Sequence, residues 1–481
     1  MNYKMILNIL GWVLKIEAIC MLLPLACAFL YNEPKGIFTF SVAICLSFIT
    51  GIILSFKTPK NKAVYAKEGF ATVALSWIVM SMFGAFPFMI SGYIPNFFDA
   101  FFEAVSGFST TGASILTDVE ILPKSILMWR SFSHWLGGMG VLVFLMAILP
   151  LSGSGNLYLL KAESPGPSVG KLVPKVKSTA KLLYMLYIGL TVLQVIFMLF
   201  GKVDLFTALT LTFGTAGTGG FAILNSGISS YSPYIQYVVT VFMILFGVDF
   251  SLYYLFFFKD RKALLKSDEL KVYLIIISLA VILIFVNCKE LFKTAEEAFR
   301  NIIFTVASVI TTTGYSTADF NMWPLFSKII IIMLMFSGAC AGSTGGGIKV
   351  SRLMIFFKTI LKEIKTTAHP RVTLKLKMNG RQLEHETVRG VNVYMAAYIA
   401  IFTVALLIIS IDLAPGEFTT GFTAIAATLN NIGPGLDMVG PTGNFSHFSY
   451  LSKLVMSFCM LVGRLEIFPM LLLFSPSTWK K

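Results

Sequence analysis

A chain of 481 residues that is 56% hydrophobic and only 13% charged, with a mean hydropathy of +0.80, has too few polar side chains to coat a water-soluble globule. The formal charge of +14 would suit a nucleic-acid binder if it formed one basic face, but it is parcelled into alternate connections between apolar runs, which excludes that class. Six cysteines (Cys20, Cys27, Cys45, Cys288, Cys340, Cys459) lie in or beside apolar runs without a CxxC pair and read as small buried hydrophobes; the four histidines are scattered and receive no site.

Runs of about 20 apolar residues, the length that spans a bilayer as helix, occur near 6–30, 37–56, 70–91, 125–150, 180–200, 233–258, 271–287, 325–349, 391–412 and 450–474. They predict ten spanning helices, an all-α polytopic membrane protein. The first run is too long, and too closely followed by a second, for a cleaved signal peptide. Connections 57–68, 151–181, 259–271 and 349–389 hold most of the Lys and Arg. By the positive-inside rule that face is cytoplasmic, and so are both termini. The opposite connections are acidic, with Asp99, Glu103, Asp118, Glu120, Asp204, Glu296, Glu297, Glu417 and Asp437, and should concentrate cations.

Four stretches on that outer side resemble one another: "FSTTGAS" around Gly112, "FGTAGTG" around Gly217, "ITTTGYS" around Gly314 and "LNNIGPG" around Gly433. Counting back four, eight and eleven residues from each glycine gives apolar positions on one helix face: Phe108, Ala104, Phe101; Phe213, Leu209, Phe206; Ile310, Val306, Ile303; Leu429, Ile425, Phe422. Each unit therefore reads as span, short helix, polar glycine-containing strand, span. The predicted fold is four re-entrant hairpins preceded by an extra helix pair, divided as 1–68, 69–178, 179–268, 269–388 and 389–481. Non-helical backbone cannot face lipid, so the four strands should surround a shared axis. There helix C-termini and inward carbonyls favour a cation. The segments proposed to hold it are Thr110, Thr111 and Gly112; Thr215, Ala216 and Gly217; Thr312, Thr313 and Gly314; Asn431, Ile432 and Gly433. One such stretch alone would read as a loop capping a helix; four in equivalent places do not.

A second interruption, "SGACAGSTGGG" at 337–347, sets five glycines within a span. Ile348 separates Gly347 from Lys349 and a membrane helix precedes, so a phosphate-binding loop is excluded. A GxxxG contact through Gly338 and Gly342 explains two glycines, not five. Arg464 stands deep in the last span, where a charge costs roughly 2.5 kcal/mol or more unless it faces a cavity or partner. Glu466 is no i,i+2 helix partner for it; Asp249 is a weaker candidate. Arg130, near an external end, snorkels or supports the short helices.

These residues resemble the Trk/Ktr/HKT superfamily of potassium transporters, most closely its TrkH/TrkG type. The match spans nearly the whole chain through "STTGAS" (109–114), "HWLGGMG" (134–140), "TAGTGGF" (215–221), "TTTGYST" (311–317), "AGSTGGGIK" (341–349), "NNIGPG" (430–435) and "GRLE" (463–466). The resemblance implies four membrane–pore–membrane repeats around one pore, a homodimer, and residence in a bacterial cytoplasmic membrane. It implies K+ as the transported ion, glycine at all four filter positions being associated with potassium. Only the third segment carries Thr-Gly-Tyr, and the fourth departs furthest, which implies selectivity loose enough to admit rubidium. The interruption, with Gly338, Gly342, Ser343, Thr344, Gly345, Gly346, Gly347 and Lys349, is by the same resemblance a gate loop below the filter, held near Gly345 by a pore-facing Arg464. A cytosolic nucleotide-binding, TrkA-like regulatory subunit is the implied partner besides the lipid bilayer, with 162–175 and 362–380 as docking surfaces. Two other classes stand beside a gated pore. A proton- or sodium-coupled symporter would draw on Asp249, Glu466 and Glu17; an enzyme would need a nucleophile–base or metal cluster, and none is visible.

Overall fold

With no water to satisfy it, backbone inside a bilayer must pair with itself, and apolar runs accordingly fold as helix. The computed structural model describes residues 1–57, 65–140, 176–372 and 374–479, with side chains from 178 onward in the third stretch. Among them the regular secondary structure is helix, apart from one hairpin, β1 (Lys377–Met378) against β2 (Arg381–Gln382). Most of the 151–181 connection, the end of the 125–150 run and the docking segment 162–175 lie outside the described residues.

The N-terminal helices α1 (Tyr3–Cys20), α2 (Leu22–Leu30) and α3 (Pro34–Ser55) form an antiparallel pair, α2 continuing α1. Its crossing is tight because Gly11 and Gly51 face one another; a Cβ on either would press on the other's carbonyl. There follow α4 (Ala66–Gly84), α5 (Phe86–Ile90), α6 (Phe97–Phe108), α7 (Lys124–Gly138), α8 (Val176–Phe200), α9 (Leu205–Gly217), α10 (Pro233–Phe246) and α11 (Phe250–Phe258). The second half holds α12 (Asp268–Cys288), α13 (Ala295–Ile310), α14 (Leu325–Ser337), α15 (Val350–Ala368), α16 (His385–Ile409), α17 (Phe418–Leu429), α18 (Tyr450–Arg464) and α19 (Phe468–Phe474). Along α12, Ile275, Leu279, Ile282 and Val286 are exposed at helical spacing while Tyr273, Ile277, Ile284 and Cys288 are buried. A stripe so apolar is at rest only against lipid.

By length and composition six helical stretches among the described residues can cross a membrane, or seven if α10 and α11 form one bent span, rather than the ten expected. The difference lies in the 125–150 run, whose end falls outside the described residues, and in runs that the structure breaks. Helices α10 and α11 meet at 87°, where Asp249 caps α11 by accepting the Ser251 N–H at 2.8 Å. Helix α14 stops at Gly338, and α18 breaks before α19 at Glu466 and Ile467, both left-handed (φ 65 and 66). Four of the cysteines are buried as expected, but Cys45 faces outward from α3.

Helices α6, α9, α13 and α17, of 12, 13, 16 and 12 residues, are too short to cross. Three start on a side-chain cap: Asn96 accepts from Phe98 N–H at 2.9 Å, Asp204 from Thr207 N–H at 3.2 Å and Thr294 from Glu297 N–H at 3.1 Å. Asp99, Glu296 and Glu297 in the first turns complement the dipole.

Candidate functional site

All four short helices end identically. The N–H groups of Thr111, Gly219, Thr313 and Ile432 each reach back five residues, to the carbonyls of Ser106 (2.9 Å), Gly214 (2.8 Å), Ser308 (2.8 Å) and Ala427 (2.9 Å). The residue before each is left-handed: Thr110 (φ 57), Thr218 (57), Thr312 (58) and Asn431 (55). This is the Schellman closure, normally made with glycine. A non-glycine residue pays roughly 1–2 kcal/mol for that backbone, so four copies of the strain at one place mark a functional site. Two residues on, Gly112 (φ 79), Gly220 (76), Gly314 (82) and Gly433 (97) are left-handed again, with a residue of negative φ between. Alternating hand turns successive carbonyls to one side, where an ordinary strand would alternate them.

This closure corrects the register of the second segment. Thr215, Ala216 and Gly217 lie in the last turn of α9, and the places equivalent to the other three segments fall to Thr218, Gly219 and Gly220. A shift of three residues is nearly one helical turn, so Phe206, Leu209 and Phe213 keep the same face in either register and the apolar count could not separate them. Gly217 serves packing instead: a Cβ there would collide with the His134 carbonyl of α7. The usable signal was the aromatic residue after the glycine, Phe221 after Gly220 as Tyr315 after Gly314.

The four segments meet in cyclic order. A Cβ on Gly112 would strike Gly219 O, one on Gly220 would strike Thr313 O, one on Gly314 would strike Ile432 O, and one on Gly433 would lie 2.7 Å from Thr111 O. Above them a cleft of about 210 Å³ is lined by these four glycines together with Arg130 and Asn225 among others. Hydroxyls stiffen the first and third segments: Ser109 Oγ lies 2.7 Å from Thr111 Oγ1, and Thr311 Oγ1 2.8 Å from Thr313 Oγ1. Asn431 Nδ2 donates to Thr111 Oγ1 and to Met460 O, both at 2.9 Å. The Tyr315 hydroxyl donates to Leu211 O at 3.1 Å.

Behind the first two segments Arg130 and Glu103 form an ion pair at 2.8 Å, 2% and 0% exposed. Glu103 also accepts from Ile115 N–H (3.1 Å) and the Ser114 hydroxyl (3.0 Å). Glu103 therefore adds nothing to an external acidic field, contrary to the expectation from its loop-side position, and Arg130 supports the segments and does not snorkel. His134, unassigned from sequence, is fully buried between Gly107 O (2.7 Å from Nδ1) and Phe221 N–H, which donates to Nε2 at 3.2 Å.

Beneath the ring runs 338–349. Gly346 N–H donates to Thr312 Oγ1 at 2.6 Å, Thr344 Oγ1 to Phe246 O at 3.2 Å, and Lys349 Nζ to Gly345 O. Glu269 at the start of α12 accepts with one oxygen from both Ala341 N–H (2.8 Å) and Ser351 N–H (3.0 Å). Arg464 donates to Thr344 O at 2.7 Å and to Gly138 O at 2.6 Å. It thus grips the loop one residue from Gly345, and Glu466 pairs elsewhere, with Arg352 of α15. Asp249 lies against Gly342.

Residues 36–481 match the family model TrkH, "Cation transport protein". The Trk system potassium uptake protein TrkH of Escherichia coli (strain K12) is 34% identical over 495 residues, covering 100% of both chains. TrkG of the same organism is 31% identical over 100% of this chain and 99% of its own. The crystal structure of the potassium transporter TrkH from Vibrio parahaemolyticus superposes with a TM-score of 0.89 at 31% identity, covering 100% of each chain. The all-helical membrane architecture, the four strained helix ends and these full-length similarities lead to one assignment: this chain is a transport protein of the TrkH family.

Proposed function

We propose that the chain takes up K+ through a filter formed by residues 110–112, 218–220, 312–314 and 431–433. The observation that carries this reading is the cyclic seating of four left-handed glycines against four carbonyls, Thr111, Gly219, Thr313 and Ile432. Carbonyl oxygens crowded at one level can replace the water shell of a bare monovalent cation, and four helix C-termini aimed at them add negative potential. The relatives' printed names supply the ion.

On this reading residues 1–68 form the extra helix pair, and 69–178, 179–268, 269–388 and 389–481 the four hairpins. The basic connections and both termini lie in the cytoplasm. The 338–349 loop is the gate, with Arg464 as the cationic latch across the pore axis. A homodimer and a cytosolic nucleotide-binding subunit complete the assembly. Helix α15 runs into 362–380 and supports a docking role for that segment, since Ile364 within it, and Phe357 and Leu361 just before it, are exposed among lysines. Rubidium flux into proteoliposomes tests the proposal. Flux should be lost in Gly314→Asp, and its insensitivity to an imposed pH gradient separates a pore from a proton-coupled symporter. Undiminished flux in Gly314→Asp refutes the filter.

A further inference from the structure

The second segment differs from the others at one point. The residue whose carbonyl enters the ring is Thr111 or Thr313, anchored by hydroxyl contacts, or Ile432, whose side chain is buried, in three segments, but Gly219 in the second. Gly219 does not have left-handed backbone, so its conformation would accept any L-residue. What bars a side chain is the imidazole of His134, which a Cβ on Gly219 would overlap. That imidazole bridges two elements: Nδ1–H to Gly107 O in α6, and Nε2 to Phe221 N–H just beyond Gly220. A single neutral tautomer satisfies both bonds. The His134 and Phe221 rings lie 4.2 Å apart, and the Arg130 guanidinium sits 4.0 Å from the Phe221 ring centre while donating to Ala222 O at 3.4 Å.

We infer that His134 and Arg130 of α7 act as the missing side chain of the second segment: positioning residues that hold Gly219 O in the ring and thereby set its discrimination among monovalent cations. The inference rests on the filter reading above. Two consecutive glycines are the most pliant backbone in the ring, and a carbonyl free to swing would accommodate a smaller ion as readily as a larger one.

The test uses the full chain in proteoliposomes and reads the ratio of Rb+ to Na+ flux. His134→Ala should lower that ratio about fivefold, the effect of one neutral hydrogen bond, with Rb+ flux itself largely kept. Gly219→Ser alone should fail to conduct selectively, because its side chain meets His134. The double variant His134→Ala/Gly219→Ser should recover most of the ratio, a rescue that general loss of packing would not give. An unchanged ratio in His134→Ala, or wild-type behaviour of Gly219→Ser alone, overturns the inference. If His134→Ala is not recovered from membranes, Arg130→Lys is read in its place: a lowered ratio supports the brace and an unchanged one overturns it. Gly314→Asp run alongside keeps the two readings apart, since its loss of flux preserves the filter whatever the brace variants do.

Discussion

Replacing Glu269 by leucine should open the pore in the absence of any partner. One oxygen of this buried carboxylate accepts N–H groups from both ends of the loop, Ala341 at 2.8 Å and Ser351 at 3.0 Å. With Glu269 ionised, hydrogen bonds to its charge contribute roughly 1.5–3 kcal/mol each, so a movement that breaks both then forfeits about 3–6 kcal/mol. Leucine removes that term from the closed state alone and leaves two buried donors without an acceptor. Even the lower figure shifts the closed-to-open ratio by roughly a hundredfold. Rubidium uptake into proteoliposomes containing the chain alone measures this directly. Glu269→Gln keeps an acceptor oxygen but loses the charge, which about halves each bond, and should fall between wild type and Glu269→Leu. Wild-type uptake in a folded Glu269→Leu protein, or a larger effect from glutamine than from leucine, refutes the clamp.

Gly314→Ala places a Cβ against Ile432 O at φ 82; left-handed backbone at roughly 1–2 kcal/mol and overpacking at roughly 1–3 kcal/mol should cut Rb+ flux at least tenfold at unchanged membrane abundance. The register of the second segment is checked by a pair: Thr215→Val removes one hydroxyl, which donates to Leu211 O within its own helix and neighbours the Tyr315 hydroxyl, and should leave the Rb+/Na+ flux ratio within about fivefold, whereas Gly220→Ala should abolish flux. Glu103→Leu leaves the buried Arg130 without its carboxylate, with only Ala222 O and the Ser114 hydroxyl to accept from it; removing one partner of a buried pair costs about 3–5 kcal/mol, read as a lower thermal midpoint of the detergent-solubilised protein. Adding Arg130→Met should recover much of that midpoint, since an apolar pair of similar volume has no stranded charge.

What sequence could reveal divides along a physical line. The four segments, and the five glycines of 338–349, were visible because backbone chemistry is local: a chain that must leave helix inside a membrane announces it with glycine and hydroxyls. The second segment was found but misplaced by three residues, because apolar periodicity is blind to a shift of one helical turn. Cap geometry, and in sequence the aromatic residue that follows it, distinguishes Gly220, which turns the strand, from Gly217, which admits α7.

The braces behind the ring were hidden for a different reason. Glu103 looks like one more acid on an acidic face until α6 is seen to be a 12-residue helix that points inward; its seventh residue is then halfway to the axis and needs a partner. That argument was available from sequence once the short helix had been proposed, and it leads to Arg130. No such argument leads to the break at Glu466 and Ile467. A β-branched residue has no local preference for φ 66, and "GRLEIFP" has neither glycine nor proline at the break itself. The cause is tertiary: Glu466 is drawn to Arg352 of α15, whose guanidinium also lies 4.0 Å from the Tyr394 ring centre. Helix α15 begins directly after the loop. The strain in the last span is therefore held by the same element that, in the proposed orientation, would be pulled by anything docking on the cytoplasmic face. Arg464, two residues before Glu466, ends α18 where the strain begins. If the Arg352–Glu466 pair is released, backbone at 466–467 gains by returning to right-handed helix, and the end of α18 that sets the Arg464 guanidinium on Thr344 O loses the contact that fixes it from below. Arg352→Gln should consequently raise partner-free Rb+ uptake without altering the Rb+/Na+ ratio, because it acts on the loop and leaves the ring untouched; an altered ratio with unchanged uptake would rule this coupling out.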